Sequence, residues 1–189
     1  MKIAVIAHSL FPIKEPYASK LERDTHLLCK SLLKLGHRVG LYAHPASDQT
    51  LVVKPIPFQY DGNVGYDLGP EKTGGRDFTM WYPNLFSQVN ANGYDIVHNQ
   101  ALQCEPTPLK KYLNSILLTT FHSLQNIQLN NLNIPASNKC YYTIILISSR
   151  NGNWWHHDHR IIATQAEGQI MAEEYLNLYK DLIEFRFKE

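Results

Sequence analysis

Lys2 to Ala7 is an unbroken β-prone run, the composition of a strand covered on both faces. A polar, proline-containing stretch follows from His8 to about Lys20. Leu21, Leu28, Leu32 and Leu35 then recur on one helical face, with Thr25 completing the series and Gly36 standing where a helix C-cap is expected. Arg38 to Ala43 predicts a second strand, so the chain opens on a strand–helix–strand unit of the right-handed kind that builds parallel sheets.

Pro45 to Arg76 is dense in Pro, Gly, Asp and Gln and predicts an irregular connection, with one β-prone piece at Leu51 to Ile56. Phe78 to Ala91 predicts a helix carrying Trp81, Leu85, Phe86 and Val89, with Pro83 in its first turn and Gly93 ending it. Asp95 to His98 and Ile116 to His122 read as strands, with a short helix between them at Pro108 to Leu113. Residues 123–139 are rich in Asn and Gln and read as a long surface loop, and Tyr142 to Ile147 as the last strand. In the tail, Met171, Tyr175, Leu178 and Leu182 recur at i, i+4, i+7 and i+11, with Ile170 and Tyr179 beside them, and predict a second strong helix.

Alternating strands and helices give the fold class: α/β, a doubly wound, Rossmann-like parallel sheet flanked by helices. Ligands of such sheets sit beyond the carboxyl ends of the strands. Here those ends are His8–Ser9, Ala43–His44, His98–Asn99, His122–Ser123 and Ser148–Ser149, and histidine stands at four of the five.

Composition narrows the function classes. Eighteen basic residues against seventeen acidic ones leave almost no net field, which argues against a duplex-binding protein, whose affinity rests on a basic face, so no nucleic-acid partner is expected. Cys29, Cys104 and Cys140 are far apart, form no CxxC pair and read as reduced thiols. No window approaches the roughly 18 apolar residues of a membrane span, and the apolar run that opens the chain is broken at His8, too short for a signal peptide. The expectation is a cytoplasmic protein with no transmembrane segment.

The order of four local elements resembles a known family. The opening strand, the Pro-containing loop, Glu22-Arg23 at the helix start and Gly36-His37 before the second strand resemble the start of GT-B, family 4 type retaining glycosyltransferases. GYDIVHNQALQ resembles that family's Asp-hydrophobic-Val-His strand end, and LLTTFHS its Thr-hydrophobic-His strand end. IILISS followed by Trp154 or Trp155 resembles its Val-Ser…Trp element. QIMAEEYLNLYKDLI resembles the last helix of full-length members, which crosses back from the donor domain. The resemblance implies a single acceptor-side half-domain over residues 1–155, a closing helix within 156–189, and no donor-binding domain between them.

It also implies site residues. His122 corresponds to a histidine that faces the cleft and contacts donor sugar or acceptor, and is the candidate catalytic residue. A strand-end histidine bonded to a neighbouring loop is the other reading. His8, Ser9, Lys20, His98 and Asn99 are the candidate substrate-binding residues, and each of the histidines can equally be satisfying local backbone groups. Glu22, acidic in a first helical turn, reads by default as a capping residue. Where the family has Gly-Gly this chain has Ser19-Lys20, whose side chains obstruct the approach of a diphosphate to backbone amides, while Lys20 still offers a positive charge. His156, Asp158 and His159 invite a metal reading, but no matching ligand pair stands elsewhere, and neither a metal nor a cofactor is expected. Two functions stay open: a sugar-transferase half that binds an acceptor and works with a separate donor-domain polypeptide on a nucleotide-sugar, or a non-catalytic carbohydrate-binding or scaffold domain of that ancestry. A nicotinamide-dependent oxidoreductase fits poorly, because no GxGxxG follows the first strand.

Overall fold

The structure is a computed structural model that describes residues 1–8, 10–56, 82–101, 112–121, 140–144, 159–161 and 168–186. Its strands are β1 (Lys2–Ile6), β2 (Arg38–Ala43), β3 (Val53–Pro55), β4 (Ile96–Asn99), β5 (Ile116–Phe121), β6 (Cys140–Ile144) and β7 (His159–Ile161). They form one seven-stranded sheet in the order β3-β2-β1-β4-β5-β6-β7, with every adjacent pair parallel. The helices are α1 (Lys20–Lys34), α2 (Tyr82–Asn92) and α3 (Gly168–Arg186). The α/β class read from the sequence is therefore the observed one.

Period-two alternation sorts each strand onto two faces. Ile3, Val5 and Ala7 join Val39, Leu41, Ile96, Ile116 and Leu118 in one core, which α1 and α3 cover with Leu28, Cys29, Leu32, Met171, Tyr175, Tyr179 and Leu182. Ala4, Ile6, Tyr42, Val97 and Leu117 face the other way, under Leu85, Phe86 and Val89 of α2. Helices on both faces explain why the central strands read as continuous apolar runs.

Local signals place the helix ends. Ser19 caps α1, its Oγ accepting the Leu21 amide, and Gly36 takes the left-handed conformation (φ 82°) just past the last turn. Gly93 does the same after α2 (φ 60°). The buried row of α3 is the predicted one, Met171, Tyr175, Leu178 and Leu182, whereas Ile170 is exposed. Leu35 is also exposed, because it lies at the C-cap where the chain turns toward β2.

Tyr142 to Ile147 is not the last strand. The strand there runs Cys140–Ile144, and β7 follows it, pairing Tyr142 with His159 and Ile144 with Ile161. The loop read at 123–139 and most of the short helix read at Pro108 to Leu113 lie outside the described residues.

α3 lies beside α1. Its first residue, Gly168, is so close that an added Cβ would meet Leu27 Cβ at 3.0 Å and Ser31 Oγ at 3.1 Å. A further close approach lies under the other face, where a Cβ on Gly40 of β2 would fall 2.1 Å from the Tyr94 hydroxyl.

Candidate functional site

The strand order reverses between β1 and β4, and this switch point is where open α/β sheets leave a crevice at their carboxyl edge. His8 stands just past β1, and Asn99 and Gln100 stand at the end of β4. The Gln100 amide donates to the Ile6 carbonyl at 2.8 Å, which stitches the two strand ends together.

His8 is buried, and its Nδ1 accepts the Leu10 amide at 3.2 Å. That leaves Nε2 as the protonated nitrogen of the neutral ring. Nε2 lies 2.7 Å from Glu22 Oε1, at ion-pair distance but off the line of a good hydrogen bond. The Ser19 hydroxyl donates to the other carboxylate oxygen, Oε2, at 2.5 Å, so the N-cap and Glu22 are joined side chain to side chain at the start of α1. Burial alone would raise the Glu22 carboxyl. The facing His8 ring, the Ser19 hydroxyl and its own backbone amide outweigh that and hold it at about 2. The end of β1 is thus tied to the first turn of α1 by a buried ionised carboxylate. Lys20, the first residue of that helix, places its ammonium 4.0 Å from Asp24. Burial raises the Asp24 carboxyl against the pull of Lys20 and Arg23.

His98 is placed differently from an open cleft residue. It follows Ile96 by two positions and so lies on the face covered by α3, where it is fully buried. Its Nδ1 is 2.5 Å from the Tyr179 hydroxyl, and its Nε2 is 2.7 Å from Thr120 Oγ1 and 2.8 Å from Gln100 Nε2. The Gln100 amide donates to Nε2, which leaves Nδ1–H as the donor to Tyr179. Thr120 Oγ1 is also 3.0 Å from the Tyr175 hydroxyl, and the Tyr175 ring is tilted over the imidazole with centroids 4.5 Å apart. Asn99, one residue on, faces the other side and is fully buried, with Oδ1 accepting the Ala101 amide at 3.1 Å.

Of the residues expected to form a site, His8 stands past the end of β1 against Glu22, and Lys20 opens α1 beside Asp24. His98 and Asn99 are packed inside on opposite faces of β4. Ser9 and His122 lie outside the described residues, as do Trp154, Trp155 and 145–158 generally. Among the described residues no group of three or more His, Cys, Asp or Glu is arranged to hold a metal, and no helix is long and apolar enough to cross a membrane.

A second polar cluster was not anticipated. His26, on α1 one turn beyond Glu22, donates from Nε2 to Asp48 Oδ2 at 2.8 Å, and its Nδ1 is 2.8 Å from the Tyr17 hydroxyl. The same hydroxyl is 3.2 Å from Glu15 Oε1. The sequence carried one trace of it, the i, i+4 series Glu22, His26, Lys30. Asp48 lies 22 residues from His26 and is invisible to that spacing.

No protein-family profile matches the sequence, and no curated protein matches it. Solved structures do resemble it. A sucrose-phosphate synthase from Thermosynechococcus elongatus, in a form designated by a long and a short segment range, superposes with a TM-score of 0.55 at 16% identity, covering 96% of this chain and 99% of that one. MurG from Acinetobacter baumannii gives a TM-score of 0.45 at 14% identity over 85% of this chain and 45% of its own. The likeness to the synthase is one of fold, a Rossmann-like α/β parallel sheet flanked by helices.

Proposed function

We propose that this chain is the acceptor-side half of a sugar transferase, acting in the cytoplasm on a nucleotide-sugar donor held by a separate donor-domain polypeptide. The observation that carries the reading is the position of α3. Only residues 162–167 separate β7 from a helix that returns to α1 and closes the β1–β5 face. The family 4, retaining character rests on the motif resemblance.

On this half, the carboxyl edge of β1 and β4 would receive the acceptor, with His8, Ser9 and His122 along it and Lys20 as the candidate cation toward a departing diphosphate. Charge stabilisation of that leaving group is usually the largest catalytic term, and a single lysine supplies little of it. The donor domain would supply the rest, so the chain alone is expected to be inactive.

A native pull-down from the source organism, with partners identified by mass spectrometry, is the first test. Recovery of a donor-domain-like polypeptide, followed by nucleotide-sugar turnover only in the mixture and its reduction in His122→Ala, is the expected result. Unchanged turnover in that variant would remove His122 from the site. A second reading, a non-catalytic carbohydrate-binding domain, is favoured by Ser19: its side chain is committed to the Leu21 amide and the Glu22 carboxylate, where the resemblance expects a bare backbone open to phosphate. Sugar binding without any partner of that kind would select it.

A further inference from the structure

Beside the middle of α1 lies a cleft of about 520 Å³, distinct from the strand-end site and lined by Lys14, Glu15, His26, Lys30, Asp48 and Gln49 among others. Three segments build it: the loop after β1, the exposed side of α1 and the connection from β2 to β3.

An account of which polar groups are already used decides what the cleft can hold. Asp48 Oδ1 accepts the Thr50 amide at 2.9 Å, while Oδ2 takes His26 at 2.8 Å and Lys30 at 3.5 Å. The backbone amide and side chain of Thr50, and then His26, hold the Asp48 carboxyl well below the usual range. Glu15 Oε1 faces the Tyr17 hydroxyl. His26 has both ring nitrogens engaged. Gln49 spends its amide hydrogens on the carbonyls of Pro45 and Ser47, which leaves its own carbonyl oxygen as an acceptor. The Asp48 carboxylate is therefore committed to protein donors and Glu15 engages the Tyr17 hydroxyl through Oε1, whereas one contact to Asp48 uses only part of the Lys30 ammonium. Lys14, on the opposite wall, is exposed and free of an ion pair among the described residues. Two ammonium groups, of Lys14 and Lys30, thus line the cleft with the Glu15 and Asp48 carboxylates.

We propose that this cleft binds a phosphate group, free or as the monoester of a small hydroxylated molecule, between the ammonium groups of Lys14 and Lys30. A phosphate offers several acceptor oxygens to the unspent N–H groups, in charge-assisted bonds of the stronger class. The Gln49 carbonyl oxygen accepts from a hydroxyl of the organic part. His26 and Asp48 form the fixed floor and hold Lys30 in place rather than touching the ligand. This site goes beyond the transferase reading and stands or falls separately from it.

The test is calorimetric titration of the full chain with inorganic phosphate and, separately, with glycerol 2-phosphate. Saturable binding is expected, weakened about tenfold in Lys14→Ala and in Lys30→Gln and lost in the double variant. Lys34→Gln, in the last turn of α1 and outside the cleft, should bind as the parent does. Equal affinity for the two ligands assigns the site to free phosphate, and tighter binding of glycerol 2-phosphate assigns it to a monoester. Non-saturable heats, or the same affinity in the folded double variant as in the parent, overturn the proposal. Far-UV circular dichroism of Lys14→Ala guards against misfolding, since that exposed side chain supports no packing.

Discussion

The imidazole of His98 and the phenol of Tyr179 meet at 2.5 Å although 81 residues separate them, and both are fully buried. This contact bolts the closing helix to the end of β4, and Tyr175 adds a second bolt through Thr120 at the end of β5. Tyr179→Phe keeps the ring and its packing but withdraws the oxygen from a buried nitrogen. A loss of about 1–3 kcal/mol of unfolding free energy is expected, read by urea denaturation at neutral pH. A loss below about 0.5 kcal/mol would mean that α3 is held by apolar packing alone.

Glu22 gives the pH dependence a sign. Its folded value of about 2 lies below its ordinary 4.5. The stability it contributes is therefore present in full above pH 4.5 and drains away as pH falls toward 2, on the order of 3 kcal/mol in all. Glu22→Gln should lower the melting temperature near pH 7, and the gap to the parent should narrow between pH 4.5 and 3. A gap that stays constant would show that the carboxylate is not ionised by preference in the folded state.

Ser19→Ala should cost about 1 kcal/mol through loss of the α1 cap, and Ser19→Gly only a few tenths. The comparison, made by thermal melts, separates capping from any effect of side-chain bulk. If the glycine variant is as damaged as the alanine one, the hydroxyl's bond to Glu22 matters more than the cap.

Gly40 is a space requirement rather than a conformational one. A Cβ there would fall 2.1 Å from the Tyr94 hydroxyl and 3.0 Å from its Cζ. Gly40→Ala should destabilise by about 1–3 kcal/mol, and Tyr94→Phe in the same chain should restore part of that, because the nearest clashing atom is gone. Additive losses in the double variant would contradict the clash.

The parts of the fold legible in the sequence were those where one residue sees its structural fate locally. β1, β2, β4 and β5 are covered on both faces, so their apolar runs stand out against polar surroundings. The α1 and α3 stripes obey the helical period, and the misjudged neighbours have physical reasons. Ile170 is about 100° round the helix from Met171 and off the Met171–Tyr175–Leu178–Leu182 row. Leu35 has passed the end of the last turn. β7 was missed because its three residues, His159 to Ile161, carry no alternation and continue a histidine-rich run.

The site was less legible because its partners are remote. The Ser19–Glu22 contact is local, and the sequence points to it through Glu22 alone. His98 was expected at a cleft edge. What draws it inside is a tyrosine on the last helix, at a distance no spacing rule spans. Tyr17, His26 and Asp48 escaped notice for the same reason, since the β1–α1 and β2–β3 connections meet only once β1 and β2 are paired.

α3 has a further consequence, for synthesis. Ile3, Val5, Leu28 and Leu32 leave the ribosome well over a hundred residues before the side chains that seal their face, Met171 through Leu182. Through most of translation the nascent chain must carry an open apolar face that its own later residues will cover. Such order favours slow closure and exposure to aggregation.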